Sequence, residues 1–229
     1  MLVQKSFVDL AIVQKAMDTF KDDMSKISRD GLGKVLEWLN ESDFFTAPAS
    51  TKYHLSCRYG LLVHSYNVRC YGLKLLNTFK NPHVSAESVV LTSWFHDLCK
   101  VNVYEEYGRN TKFEGPPLPN GRFEWAQVGE YKYTEEDPFP MGHGEKSALL
   151  LLKFGMKLAD SEIAAITHHM GSWHAAGIYE KMQALQNSYN KYPLAILIHT
   201  ADQFAGYWDD LEMEQKKTNE QLLKELNLI

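Results

Sequence analysis

Apolar positions recur at intervals of three and four in the first stretch of the chain: Phe7, Leu10, Val13, Met17 and Phe20. That period predicts an amphipathic helix over 6–24. Val35, Leu36 and Leu39 predict a second helix over 28–40. The stretch SDFFTAPAS breaks the pattern, and Pro48 makes it a connector. A long helical pattern follows over 60–79 and carries His64; Asn81-Pro82 ends it. Ser85 suits an N-cap for a helix over 86–100, with Glu87 in the first turn, where a negative charge suits the helix dipole. This helix is almost wholly apolar (VVLTSWF), so it should be central, with His96 and Asp97 near its C-terminal end.

Residues 101–141 change character, with most of the prolines, several glycines and many aromatics. GRFEWAQV followed by GEYKYT predicts a short β-hairpin. Helical patterns resume at about 145–157, 160–170, 174–188 and 192–210, and an amphipathic stretch at 211–227 closes the chain. The expectation is an all-α bundle forming one domain over 1–229, with 1–50 packing on it and an aromatic insertion at 101–141.

Composition sharpens this only slightly. The 229 residues are 45% hydrophobic and 23% charged, as in ordinary globular proteins. The formal net charge is −5, and no Lys/Arg run stands out, so no long nucleic-acid partner is expected. The cysteines are Cys57, Cys70 and Cys99; an odd count without a CxxC pair argues for a reducing, cytoplasmic setting. Charges interrupt the first twenty residues at helical spacing, so they lack the apolar core of a signal peptide, and no apolar run suits a membrane span.

The histidines carry the chemistry. In order they give His64 in GLLVHS, His96-Asp97 in HDLCK, His143 in MGHGEKS, His168-His169 in HHMG, and Asp202 in HTAD. An ionised Asp inside WFHDLCK is costly to bury unless something compensates it, and a divalent cation does so well. Imidazole and carboxylate together suit Zn, Fe, Mn and related ions. His64, His96, Asp97 and Asp202 can supply two nitrogens and two oxygens from three helices. Asp97 can bridge to a second ion that His143 and His169 would complete. Two such ions would activate a water and stabilise the leaving oxygen of a phosphate ester. Lys100 follows Asp97 by one helical turn and can neutralise a substrate phosphate.

With GLLVHS before and HDLCK after, the order H…HD…D resembles the HD superfamily of metal-dependent phosphohydrolases. The resemblance covers about 53–207. APASTKYH, GLLVHSYNV, HDLCKVN, GHGEKS, HHMG and HTADQFA resemble a bacterial and phage-borne subgroup of HD-domain hydrolases, and more distantly the HD domain of bacterial 3′–5′ exoribonucleases. The resemblance implies an HD-domain helical bundle and metal ligands at His64, His96, Asp97 and Asp202. A second-metal pair falls on His143 and on His169 or His168. It implies one or two divalent ions (Mn, Fe, Ni, Co, Zn or Mg) and a small phosphorylated substrate, a nucleotide or short oligonucleotide. Asp97 and Lys100 would be catalytic, with Lys100 and His168 touching substrate.

Each residue also has a plainer reading. A lone His in an apolar helix is usually a hydrogen-bonded structural residue. His168 and His169 differ by about 100° on a helix, so they cannot share a direction; His169, which precedes Met-Gly, is preferred as the ligand. Lys100 suits a helix C-terminus through the dipole alone. Glu145 and Lys146 read as first-turn residues, His199 as a supporting residue, and His83 as surface. His54 and His174 sit in loop-like segments. The aromatic insertion is either a lid that stacks on a base through Tyr104, Phe113, Phe123, Trp125 or Tyr131, or a hairpin packing its own aromatics on the bundle. Its place directly after the HD helix favours the lid. Two other functions fit the same ligands: an HD-type di-iron oxygenase, and a non-catalytic nucleotide-binding module.

Overall fold

The structure, a computed structural model, describes residues 2–113, 125–134, 141–175 and 178–227. It is mostly helical, as an all-α reading requires, with two small antiparallel strand pairs among the described residues.

Helix α1 (Leu10–Lys26) starts four residues later than the apolar period suggested. Asp9 is the reason: its side chain accepts from the Ala11 amide at 2.8 Å and caps the helix. The residues before it form a short strand β1 (Ser6–Phe7), which pairs with Gln215–Lys216 near the far end of the chain. Helix α2 (Leu32–Glu41) also starts late, after Gly31 at φ 82°. A side chain there would meet the Gly155 backbone at 2.4 Å, so only glycine fits.

Helix α3 (Gly60–Phe79) matches its expected span and packs on α1, α4 and α9. Helix α4 (Ala86–Phe95) is capped by Ser85 as expected, its hydroxyl accepting from the Ser88 amide at 3.0 Å. It stops at Phe95, however, and does not run on to Lys100. The ring Nδ1 of His96 donates to the Ser93 carbonyl at 2.8 Å, the acceptor that a continuing helix needs for the Asp97 amide. Asp97 turns out of the helix (φ −109°, ψ 24°), and Leu98–Lys100 form a 3-10 turn.

Within the insertion, the described residues form a long two-stranded ribbon. Strand β2 (Tyr104–Lys112) pairs antiparallel with β3 (Trp125–Tyr133), Tyr104 opposite Tyr133 and Lys112 opposite Trp125. The two segments expected to pair with each other are thus largely one strand, β3, whose partner lies upstream. Phe123 and residues 121–124 of that expectation lie outside the described residues.

Then come α5 (His143–Lys153), α6 (Asp160–His168), the short α7 (Ser172–Ala175), α8 (Tyr179–Lys191) and α9 (Pro193–Phe204). The helix expected over 174–188 is therefore two pieces. The one expected over 192–210 changes pitch: Ala205–Asp209 form a π turn before α10 (Asp210–Met213). The tail is not one helix either: β4 (Gln215–Lys216) precedes α11 (Asn219–Glu225).

The main core joins α1 to α6 around Phe20, Phe44, Trp94 and Phe95. Phe20 meets Trp94 edge-on at 5.1 Å. Buried Asp23 ties three helices, accepting from Trp94 Nε1 at 2.8 Å and from two Arg69 nitrogens at 2.8 Å. A satellite core holds the ribbon: Phe113 and Val128 pack on Leu222, with Val3 and Leu226 around them.

Candidate metal centre

Five of the six expected ligands converge. His64 sits in the first turns of α3, His96 and Asp97 where α4 ends, His169 where α6 ends, and Asp202 in the last turn of α9. All are buried, His96 and His169 completely. His64 Nε2 lies 3.2 Å from His96 Nε2, 3.1 Å from Asp202 Oδ1 and 3.5 Å from Asp97 Oδ2. His96 Nε2 lies 3.4 Å from Asp97 Oδ2 and 3.9 Å from Asp202 Oδ1. On the other side of Asp97, Oδ1 is 3.4 Å from His169 Nε2. Three groups that could hold an ion result among the described residues: His64, His96 and Asp202; His96, Asp97 and His169; and, behind His64, His54, His64 and Asp210.

The outer nitrogens explain why these rings point inward. His64 Nδ1 lies 2.7 Å from Asp210 Oδ2. His96 Nδ1 donates to the Ser93 carbonyl, and His169 Nδ1 to the Ile166 carbonyl at 2.7 Å. His96 and His169 use one device, each stepping past a helix end and bonding back three residues. With a hydrogen on Nδ1, each Nε2 presents a lone pair to the centre. Ring nitrogens and carboxylate oxygens therefore face one another in a buried cluster, with the Lys100 ammonium on one Asp97 oxygen. Such a set could hold a divalent ion, and metal-binding histidines are commonly oriented by a second hydrogen bond of this kind.

The spacing fits one. Donors bound to a single ion at about 2.1 Å lie about 3.0–3.4 Å apart in octahedral or tetrahedral arrangements. The 3.1–3.5 Å edges around His64 Nε2 lie close to that range, while the 3.9 Å edge between His96 Nε2 and Asp202 Oδ1 is wider. The donor set thus suits a divalent ion, and imidazole with carboxylate does not fix which one.

The charges within the cluster compensate one another. Burial opposes charge on His64, but Asp210 and Asp202 outweigh it and lift the ring to about 10. Burial lowers His96, against the pull of Asp97. Burial would raise the Asp97 carboxyl, yet Lys100 and His96 hold it well below the usual range. Asp202 is likewise depressed by its histidines against its own desolvation.

Lys100 is buried, and its Nζ lies 2.6 Å from Asp97 Oδ2. Asp97 holds its charge up against burial. The lysine is part of the cluster, bonded to the bridging carboxylate. Lys146 is buried as well, in the first turn of α5, with Ser147 beside it accepting from the Cys99 amide at 3.0 Å. His143 opens α5, half-buried, and is in none of these groups among the described residues. His168 is the last residue of α6 and half-buried, whereas His169 enters the cluster. His199 Nδ1 donates to the His169 carbonyl at 2.6 Å and its ring stacks on Tyr189, so it supports a ligand from behind. His83 is exposed. The side chain of His174 lies outside the described residues.

The ribbon does not hang free over this centre. Tyr104 is buried against Tyr133 at 5.0 Å, and burial drives its hydroxyl pKa upward. Phe113 is buried against the C-terminal helix, while Trp125 is exposed.

Two residues join the site that the sequence marks only faintly. Asp210 is fully buried; besides His64, it accepts from Asn67 Nδ2 at 2.7 Å. Its one signal is an acidic pair in a helical stretch, WDDLE, eight residues past Asp202. Eight residues in a plain α-helix would put it about 80° round from Asp202. The π turn absorbs one residue, worth about 100°, and brings both carboxylates to the His64 side. The other is His54, whose ring packs on His64 at 4.9 Å. Its Nε2 lies 3.8 Å from Asp210 Oδ2, and burial lowers its pKa to about 4.

Comparison of the chain with protein-family models, with curated proteins and with solved structures gives no match. Among the described residues, no helix is long and apolar enough to cross a membrane.

Proposed function

We propose that the chain is a metal-dependent phosphohydrolase of the HD type, acting on a nucleotide or short oligonucleotide ester. One observation carries the reading. Acceptor atoms of His64, His96, Asp97 and Asp202 converge in a buried site whose histidines are each oriented from behind. The resemblance of GLLVHS, HDLCK and HTAD to that superfamily supplies the reaction class. In this reading those four residues hold one divalent ion, and Asp97 with His169 offers part of a second position. Such an ion supplies positive charge to a phosphoryl oxygen and acidifies a water molecule.

The chain's own groups do the rest. Asp97 is kept ionised, and Lys100 supports it. Lys100 also brings a cation into the cluster, where a phosphate that displaced part of its bond to Asp97 would find a charge-assisted donor. The burial of the cluster strengthens each of these interactions relative to water.

The test is metal analysis together with a panel of phosphate esters assayed with Mn, Co, Ni, Fe, Zn and Mg. Phosphate release is expected with at least one ion, and its loss in Asp97→Ala. The ion should also raise the melting temperature. At a hundred times its Kd it adds about 2.7 kcal/mol, or about 5–10 °C for a chain of this size. Oxygen uptake with bound iron and no phosphate release would favour the di-iron oxygenase. Nucleotide binding without turnover under any ion would favour a non-catalytic module.

A further inference from the structure

We infer that Ser147 is a positioning residue, whose hydroxyl ties the turn after Asp97 to α5 and thereby sets the Asp97–His169 edge of the centre. The inference rests on the metal centre of the proposed function and adds what keeps two of its ligands at their spacing. It does not depend on the reaction class.

Ser147 is fully buried, one turn into α5. Its hydroxyl donates to the His143 carbonyl at 3.0 Å, the back-bond that a helical serine makes four residues upstream. The same oxygen accepts from the Cys99 amide at 3.0 Å. That amide has a reason to look outside its own turn. The turn bonds the Lys100 amide to the Asp97 carbonyl at 3.0 Å and the Val101 amide to the Leu98 carbonyl at 3.1 Å. Neither bond uses the amide of Cys99, which is buried, and a buried N–H without an acceptor is costly.

The stretch that Ser147 ties down reaches both oxygens of the Asp97 carboxylate. The Cys99 thiol lies 3.8 Å from Oδ1, and Lys100 Nζ lies 2.6 Å from Oδ2. Oδ1 is also the oxygen 3.4 Å from His169 Nε2.

The other hold of α5 is on α6. A Cβ at Gly144 would lie 2.1 Å from the Thr167 carbonyl oxygen and 2.5 Å from that of Ile166. The start of α5 therefore presses backbone to backbone on the end of α6. Ile166 is the residue whose carbonyl accepts from His169 Nδ1 at 2.7 Å. Helix α5 thus grips the His169 side through Gly144 and the Asp97 side through Ser147, about one turn apart. Removing the hydroxyl frees the Asp97 side alone. His64 and His96 keep their orientation from Asp210 and the Ser93 carbonyl.

The experiment is titration of wild type, Ser147→Ala, Ser147→Thr and Leu222→Ala with cobalt(II), followed by calorimetry and visible absorption. Hydrolysis of phosphate esters by wild type and Ser147→Ala is measured in parallel. Ser147→Ala should weaken cobalt binding by about tenfold or more, as loss of a group that orients a ligand does, and should alter the ligand-field spectrum. Threonine keeps a hydroxyl that bonds back in a helix, so Ser147→Thr should recover most of the affinity and the wild-type spectrum. Leu222→Ala is destabilised in the satellite core and should bind cobalt as wild type does. Should Ser147→Ala fold too poorly to titrate, Ser147→Cys takes its place, with sulfur as a weaker acceptor. The inference is overturned if Ser147→Ala binds cobalt as tightly as wild type. It is equally overturned if a folded Ser147→Thr binds as weakly as Ser147→Ala, or if Leu222→Ala loses as much affinity. Cobalt binding that depends on Ser147, without ester hydrolysis under any ion, refutes the phosphohydrolase reading alone. Hydrolysis with unchanged cobalt binding in Ser147→Ala refutes this inference alone. Wild type that binds no cobalt overturns both.

Discussion

Asp210→Asn is the sharpest test of how the centre is held. The substitution preserves shape and removes one charge. Asp210 now accepts two hydrogen bonds, from His64 Nδ1 and from Asn67 Nδ2, both at 2.7 Å. Asparagine has one oxygen and one NH2, so it satisfies one donor and opposes the other. If the oxygen stays on His64, the new NH2 meets the Asn67 NH2. If the amide flips, His64 must accept on Nδ1 and move its hydrogen to Nε2, where it blocks the ion. Removing such an orienting partner lowers metal affinity by about 10–100-fold, or about 1.4–2.8 kcal/mol. Competition with a chromophoric chelator at fixed pH reads this directly. A rescue follows from the same geometry. In the double variant Asp210→Asn with Asn67→Asp, the carboxylate now at position 67 accepts from the amide at position 210. The amide oxygen is then free for His64, so much of the affinity should return. A single variant within twofold of wild type would show that Asp210 does not orient His64.

Two further predictions concern the scaffold. Glu162 is fully buried and accepts from Arg29, from Ser88 at 2.7 Å and from the Ala159 amide at 2.8 Å. Burial opposes its charge, but these donors hold its pKa below 4.5. A depressed carboxyl stabilises the fold above its unfolded value and loses that contribution as pH falls through the folded one. Glu162→Gln should therefore be less stable by about 1–3 kcal/mol at pH 7, with its urea midpoint converging on wild type as pH falls through the lowered carboxyl pKa; curves that stay parallel throughout the acid range would refute the assignment. Leu222→Ala removes the buried contact of α11 with Phe113 and Val128, at about 2–5 kcal/mol. Amide exchange should quicken across β2 and β3 and stay unchanged in α3 and α4; uniform quickening would show that the ribbon is not a separately held unit.

Helices with a strong apolar period were legible from sequence: the span of α3 and the cap of α4 at Ser85 stand as the pattern placed them. Boundaries failed where a polar side chain overrode the period. Asp9 starts α1, and His96 ends α4 by claiming the Ser93 carbonyl. Local patterning could not find the partner of β3 either, because Tyr133 pairs with Tyr104 across the insertion. The converging residues were legible because each lies in a distinctive phrase. What lies behind them was not. Asp210 looked like a helix-surface acid, since its placement depends on a π turn that no hydrophobic period encodes. His54 looked like a loop residue, because its ring contact with His64 reaches from a connector to a helix face.

That division has a physical cause. A ligand is recognised by its type and its neighbours in the chain, whereas an orienting group is defined only by the nitrogen it reaches in space. Here three of those nitrogens are served in two ways. His96 and His169 use local carbonyls three residues back, so their orientation travels with the motif itself. His64 depends on a carboxylate 146 residues away. The first two rings keep their inward nitrogen wherever their helix ends survive. His64 keeps its own only when α9, the π turn and α10 are assembled, so His64 is the proposed ligand whose orientation reports on the complete fold.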